Sequence, residues 1–108
     1  RYADVLLMKS EAKIRNGGAG DEELNRVRSR VGASYREATL ENLLAERQLE
    51  FAWEGWRRQD LIRFDLFTRA YSSRPQLPDE GNGYTTVFPI PDKVRRMNPN
   101  LIQNPGYK

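Results

Sequence analysis

The sequence predicts a mainly all-α fold: a helical hairpin packed on further helices, then a long loop and an irregular, proline-rich C-terminal strap. Two observations carry this prediction. Apolar residues recur at helical spacing through most of the first 70 residues, and the six prolines all lie beyond that point. Because proline interrupts both helices and central strands, the last third of the chain should contain little regular structure.

Residues 1–32 are predicted to form a helix pair. The first helix carries an apolar stripe, and Gly17 and Gly18 should end it. Asp21 is the expected N-cap of the second helix, and Gly32 can supply a left-handed residue after it. The pair has about the length of a tetratricopeptide (TPR) repeat. One such unit cannot bury its faces alone, so neighbouring helices are implied.

Residues 39–69 are predicted to form two further helices. Thr39 is the expected N-cap of the first, which should run to Trp53 or beyond. Gly55 marks a bend or a break, after which residues 57–69 again show helical spacing.

Residues 70–86 are predicted to be a surface loop because prolines, glycines and short polar residues dominate them. Residues 87–108 should form a strap across a helical surface, with Phe88 and Ile90 each filling a pocket. Within the strap, residues 92–97 can form a short helix that starts after a proline.

Residues 46–65 interleave five acidic and four basic side chains with large apolar ones. This balance predicts partly buried ion pairs that hold helices together, not a surface for a charged ligand. At helical spacing, each carboxylate of the stretch has an arginine of the same stretch within reach. The predicted structural ion-pair network consists of Glu46, Arg47, Glu50, Glu54, Arg57, Asp60 and Arg63.

A catalytic interpretation of the same stretch is the main alternative to this network. Glu50 and Glu54 would lie on one face of a continuous helix. Two carboxylates placed in this way can act as a general acid and base, or they can bind a hard metal ion. Neighbouring arginines favour the ionised carboxylate and oppose that use. The chain has no His and no Cys, which excludes histidine-dependent triads, thiol nucleophiles and the usual transition-metal sites. We therefore expect no catalytic residue, no metal site and no cofactor.

Ligand-binding candidates are Tyr71, Arg74 and Tyr84, which flank the long loop; the alternative is a solvated loop without a site. Trp53 and Trp56 offer stacking faces, but their position within the motif helices predicts that they belong to the core. The net charge of +3 is scattered along the chain, which argues against nucleic acid as a partner. No stretch of about 18 apolar residues is present to span a membrane.

Two motifs give the chain a family resemblance. The first is ERQLEFAWEGWRRQDLIRF, and FPIP and NPNLIQNPGY follow it in that order. Together they resemble the C-terminal region of SusD/RagB-like proteins, and the first 32 residues are similar to the helix pair that precedes this region. Trp56 stands where that family often has His, and Arg58 where it often has an aromatic residue. The resemblance implies that residues 1–108 are a fragment of the C-terminal domain of such a protein.

The resemblance also implies a function. SusD-like proteins are lipid-anchored at the Gram-negative outer membrane and face outward. There they capture glycans or other nutrients for a SusC-like TonB-dependent transporter, and they are not enzymes. By this resemblance the chain is a scaffold portion whose lipid anchor and most glycan contacts lie upstream, so it should bind glycan weakly on its own. The alternatives are a TPR-type module that binds a peptide and a fragment of a glycoside hydrolase that uses Glu50 and Glu54.

Overall fold

A computed structural model describes residues 1–71 and 73–107, and the mainly helical prediction is confirmed. The chain forms two compact units, the first spanning Arg1–Asp60 and the second beginning at Leu61. This boundary falls inside the segment 39–69, for which the sequence predicts two helices. The described α-helices are α1 (Tyr2–Arg15), α2 (Asp21–Ser29), α3 (Leu40–Glu50), α4 (Arg57–Arg63) and α5 (Asp92–Met97).

In the first unit α1 packs against both α2 and α3, so the predicted hairpin does lie on a further helix. Leu7, Leu24 and Leu43, one from each helix, are completely buried at the centre of this packing. Val31 follows Leu24 and Val27 at a spacing that predicts one apolar stripe for the second helix, yet it is exposed. The reason is that α2 ends at Ser29, so Val31 no longer lies on its inward face.

A close approach of Ser10 to Gly20 fixes the link between α1 and α2. The Ser10 hydroxyl donates to the Gly20 carbonyl at 2.8 Å, and a Cβ on Gly20 would lie 2.5 Å from the Ser10 Oγ. Gly20 therefore takes the N-cap position that we expected Asp21 to hold. Asp21 becomes the first helical residue, and its Oδ1 accepts hydrogen bonds from the Tyr35 hydroxyl and the Ala38 N–H. The Asp21 side chain thus ties down the connection to α3 in place of capping α2.

Helix α3 begins as predicted but ends early. The Thr39 hydroxyl accepts a hydrogen bond from the Asn42 N–H at 3.1 Å, which confirms the N-cap. The helix stops at Glu50 because Phe51 leaves helical geometry and buries its ring. A turn follows in which Trp53 (φ 66°) and Gly55 (φ 79°) are both left-handed. For a bulky aromatic residue this conformation is strained, so the surrounding contacts must impose it.

Helix α4 is also shorter than the predicted segment 57–69. Asp65 adopts a left-handed conformation (φ 56°), its N–H donates to the Ile62 carbonyl, and the Leu66 N–H donates to the Leu61 carbonyl at 2.8 Å. These two bonds form a Schellman motif, which satisfies the last carbonyls of the helix and ends it. A non-glycine residue at the left-handed position gives no strong stop signal in the sequence.

The second unit continues through two short 3-10 turns, Glu80–Asn82 and Tyr84–Thr86, to α5, which has the predicted bounds. The strap pairs with itself: the Gln103 side-chain amide donates to the Ile90 carbonyl and accepts from the Ile90 N–H. Phe88, expected to fill a pocket, is 70% exposed. Pairing of the strap through its polar groups leaves the Phe88 ring outside the unit's interior.

Arg47 is the most deeply buried cation of the first unit, with 2% of its surface exposed. Its Nε donates to the Asp60 Oδ2 and its Nη1 to the Asp4 Oδ1, both at 2.8 Å. The guanidinium also lies over the rings of Phe51 and Trp56, 5.0 and 5.9 Å from their centroids. One side chain of α3 thereby connects α1, the turn after α3 and the start of α4.

The other charged residues of the motif take partners that helical spacing does not predict. Since α3 ends at Glu50, Glu54 and Arg57 are not on its face, and the α3 carboxylates meet arginines from elsewhere in the first unit instead. Glu46 pairs with Arg28 and Arg36, Glu50 with Arg1 and Arg30, and Glu54 with Arg1. Arg57 donates to the Leu44 carbonyl, and the Arg63 guanidinium lies over the Phe64 ring.

Replacing Asp60 with Asn should lower the free energy of unfolding by about 1.5 to 3 kcal/mol, because the buried Arg47 loses one of its two charged hydrogen-bond partners and keeps Asp4. Urea unfolding followed by circular dichroism measures the change. Glu41→Gln, which replaces an exposed carboxylate of α3, is the matched control and should change stability by about 1 kcal/mol or less. Equal effects of the two variants would show that Arg47 does not organise this unit.

Glu23 should make stability depend on acid pH. The Lys13 ammonium, 2.6 Å from the Glu23 Oε1, and then Lys9 lower the pKa of this buried carboxyl from 4.5 to about 2. Since its pKa is depressed in the folded state, ionised Glu23 stabilises the fold above about pH 4.5. That contribution is lost as the pH falls from about 4.5 to about 2. Urea unfolding of Glu23→Gln across this window should show a shallower pH dependence than the parent, whereas Glu22→Gln should not.

Candidate ligand pocket in the second unit

A buried carboxylate organises the long loop. Glu80 is completely buried, and its side chain pairs with the Arg74 guanidinium and accepts hydrogen bonds from the Thr85 hydroxyl at 2.6 Å and the Leu77 N–H at 3.0 Å. The hydrogen bond from Arg74 makes the largest contribution to lowering the pKa of Glu80, and those from Thr85 and the Leu77 N–H follow. The resulting pKa is about 2. The loop is thus folded around an anion, a feature that its polar composition does not reveal.

Of the three ligand-binding candidates, Tyr71 and Arg74 are engaged in holding the loop. Their backbones exchange two hydrogen bonds, at 2.9 and 2.8 Å, across an isolated β-bridge. The Arg74 guanidinium is committed to Glu80 and lies over the Phe67 ring. Tyr71 is 52% exposed but does not line the pocket described next. The third candidate, Tyr84, does line it.

This pocket, which we call the Tyr84 pocket, has a volume of about 360 Å³ and lies between the second half of the loop and the end of the strap. The size is at the lower end of the roughly 300–1,000 Å³ range typical of small-molecule sites. Its lining residues are Asn82, Gly83, Tyr84, Val87, Asn104, Pro105 and Gly106.

Tyr107 and Gly106 fix the position of the Tyr84 ring. Tyr107 packs edge-on against it with centroids 5.1 Å apart, and the Tyr107 hydroxyl is fixed by donating to the Val87 carbonyl. Gly106 (φ 87°) also contacts the ring so closely that an added Cβ would lie 2.5 Å from the Tyr84 Cβ and Cγ. Glycine is therefore required at this position on two grounds, its left-handed backbone and the contact with Tyr84.

Backbone hydrogen bonds fix the two asparagines of the pocket. The Asn82 Oδ1 accepts from the Tyr84 N–H at 3.1 Å. The Asn104 Nδ2 donates to the Phe88 carbonyl at 2.7 Å, and the Asn104 N–H donates to the Gln103 Oε1. Each amide therefore uses one side-chain polar atom for the fold.

Three side-chain polar atoms of the lining residues remain available to a ligand. Across residues 1–71 and 73–107, the Tyr84 hydroxyl, the Asn82 Nδ2 and the Asn104 Oδ1 make no hydrogen bond. They include a donor, an acceptor and a hydroxyl that can be either. None of the seven lining residues is charged. An aromatic ring beside uncharged polar groups can bind a neutral ligand that has both apolar and hydrogen-bonding faces.

The sequence predicted ligand-binding residues only in the loop, and it did not indicate that residues of the C-terminal strap also line the pocket. Asn104 and Gly106 belong to the NPGY motif, which the sequence predicts to be part of the strap and not of a binding site. The available signal was an asparagine and a glycine around a proline, a combination typical of a turn, whether or not a pocket lies beside it.

The tryptophans of the motif behave differently from each other. Trp56 is half-buried with its ring centroid 6.0 Å from that of Phe51, as a core role requires. Trp53 is fully exposed, so its assignment to the core is wrong for the described chain. The left-handed backbone at Trp53 directs its side chain away from the ring cluster that Phe51 and Trp56 form.

The described residues contain neither a cluster of metal ligands nor a membrane-spanning helix. No group of three or more acidic side chains there is arranged to hold a metal ion. None of the described helices has the length and apolar character needed to cross a membrane.

Comparison with known proteins identifies the family to which the chain is similar. The family model described as the SusD family matches residues 1–107. The starch-binding protein SusD of Bacteroides thetaiotaomicron is 34% identical over an alignment that covers 100% of this chain and 21% of that protein. The SusD-like protein P25 of Formosa agariphila is 30% identical, with 100% and 24% covered.

A solved structure agrees with these matches. Surface glycan-binding protein A from Bacteroides thetaiotaomicron superposes with a TM-score of 0.78 at 33% identity, over 97% of this chain and 24% of that one. The chain thus spans between a fifth and a quarter of the length of these relatives. Because the family match extends over nearly the whole sequence, the chain belongs to the SusD family.

Proposed function

We propose that residues 1–108 are the C-terminal scaffold portion of a cell-surface nutrient-binding protein that captures glycans. The observation that carries this proposal is the alignment of the entire chain with a protein named for binding starch. The similarity to a surface glycan-binding protein supports it independently through the fold. Attachment to the outer membrane by an upstream lipid anchor and delivery of the glycan to a SusC-like TonB-dependent transporter are parts of the same proposal.

The contacts of the first unit support a scaffolding role. The charged side chains of the motif point into helix packing, where Arg47, Glu46 and Asp60 are almost entirely buried and paired. Groups committed in this way stabilise the fold and are not free to contact a ligand. Function in this part of the protein therefore consists of holding other surfaces in place.

Binding without catalysis is supported by the position of Arg1. Its guanidinium bridges the two carboxylates that a hydrolase would use, 2.9 Å from the Glu50 Oε1 and 2.6 Å from the Glu54 Oε1. Glycoside hydrolysis requires the scissile bond to lie between the two carboxyl groups. In this chain the arginine takes that space.

The complete protein that contains this chain should bind at least one neutral polysaccharide. Affinity electrophoresis in gels containing starch, xylan, glucomannan or galactan would show it as retarded migration, with serum albumin as the control. Migration unaffected by every polysaccharide would contradict the proposed function. Retention by immobilised peptides instead would favour the TPR-type interaction module.

The same protein should hydrolyse none of these polysaccharides, because Arg1 occupies the space between Glu50 and Glu54. Reducing ends measured after prolonged incubation should stay at the level of the buffer control, and Glu50→Gln should leave this result unchanged. Release of reducing ends by the parent protein that disappears in Glu50→Gln would establish a glycoside hydrolase.

A further inference from the structure

The geometry of the Tyr84 pocket points to a subsite for one or two neutral sugar residues within this C-terminal portion. The inference rests on the proposed glycan-binding function and assigns a part of it to residues of the loop and the strap. A pyranose has an apolar face that stacks on an aromatic ring and hydroxyl groups that both donate and accept hydrogen bonds. The Tyr84 ring and the three available polar atoms match this combination.

The pocket is built before any ligand arrives. Gly106 and Tyr107 hold the Tyr84 ring, and the Tyr84 N–H and the Phe88 carbonyl hold the two asparagine amides. Binding energy is usually reduced by the ordering of side chains and loops at the site. Because these groups already have fixed orientations, little of that cost remains for a sugar to meet.

The absence of charge from the lining residues selects a neutral sugar over an acidic one. Two charged groups of the same loop, Glu80 and Arg74, are paired with each other. A uronic acid placed in the pocket would lose water around its carboxylate without gaining a counter-charge, which is unfavourable. The pocket should therefore distinguish a neutral oligosaccharide from its uronic acid counterpart.

The small volume limits the affinity. A cavity of about 360 Å³ can hold only a short piece of a glycan chain, so a dissociation constant on the order of 1 mM is expected for a trisaccharide. A weak subsite of this kind agrees with the expectation that most glycan contacts lie upstream. Its use would be to hold a second point of a long polymer, where two linked contacts bind more tightly than either alone.

The test uses the complete protein labelled with 3-fluorotyrosine, whose fluorine resonance from Tyr84 is assigned by its loss in Tyr84→Phe. Titration with maltotriose, xylotriose and mannotriose should shift this resonance for at least one sugar, whereas tri-galacturonate should not shift it. The Tyr71 resonance, assigned in the same way, is the internal control because Tyr71 lies outside the pocket lining.

Asn82→Asp is the decisive variant. It keeps the Oδ1 that accepts from the Tyr84 N–H and replaces only the available Nδ2 donor, so the fold of the loop should persist. The sugar affinity read from the Tyr84 resonance should fall roughly 2- to 10-fold, the effect of one lost hydrogen bond. Asn100→Asp, which adds the same charge outside the pocket lining, should leave the affinity unchanged.

The outcomes separate this inference from the proposed function. If the complete protein binds a polysaccharide but the Tyr84 resonance responds to none of the neutral trisaccharides, the subsite is wrong and the function stands. A Tyr84 shift that Asn82→Asp and Asn100→Asp alter equally would also overturn the subsite. If the resonance shifts as expected while no polysaccharide retards the protein, the subsite stands and capture of polymeric glycans fails.

Discussion

The first unit depends on the burial of one guanidinium. Removing an arginine from water costs several kcal/mol, which only well-placed partners can offset. Arg47 finds them in Asp4 of α1, in Asp60 of α4 and in the faces of two aromatic rings. All of these groups must be in position together, so the packing of α1 on α3 and the path of the following turn are determined jointly.

This requirement explains the strained turn after α3. The chain must leave the helix at Phe51 for the ring to cover Arg47, and it must then return so that Asp60 reaches the same guanidinium. Left-handed residues at Trp53 and Gly55 accomplish the reversal within five positions. A left-handed tryptophan costs about 1–3 kcal/mol, which is less than the roughly 3–5 kcal/mol that leaving the buried Arg47 without partners would cost. The low mean hydropathy of −0.81 is consistent with a fold that relies on such pairs as well as on leucine packing.

Local signals allowed much of the helical fold to be predicted. Thr39 caps α3, the leucine spacing identifies the hairpin, and the short helix after Pro91 has its predicted bounds, because each depends on neighbours in the sequence. The ends of α3 and α4 were wrong, because long-range contacts of Phe51 and a left-handed Asp65 decide them. Partners of the buried charges were wrong for the same reason: they come from residues distant in sequence, which helical spacing cannot identify.

The candidate pocket could be predicted even less well, because it depends on contacts between residues that are distant in sequence. Tyr84 could be identified from its place beside a loop, but the pocket forms only because residues about 20 positions later fold back against it. Gly106 is the clearest case: its missing side chain leaves room for the Tyr84 ring, a role visible only when both are in place. Turn-forming residues such as those of the NPGY motif thus have two functions here. They form a turn in which the Tyr107 N–H donates to the Asn104 carbonyl, and the Asn104 amide and the small Gly106 supply one wall of a site whose other wall is aromatic.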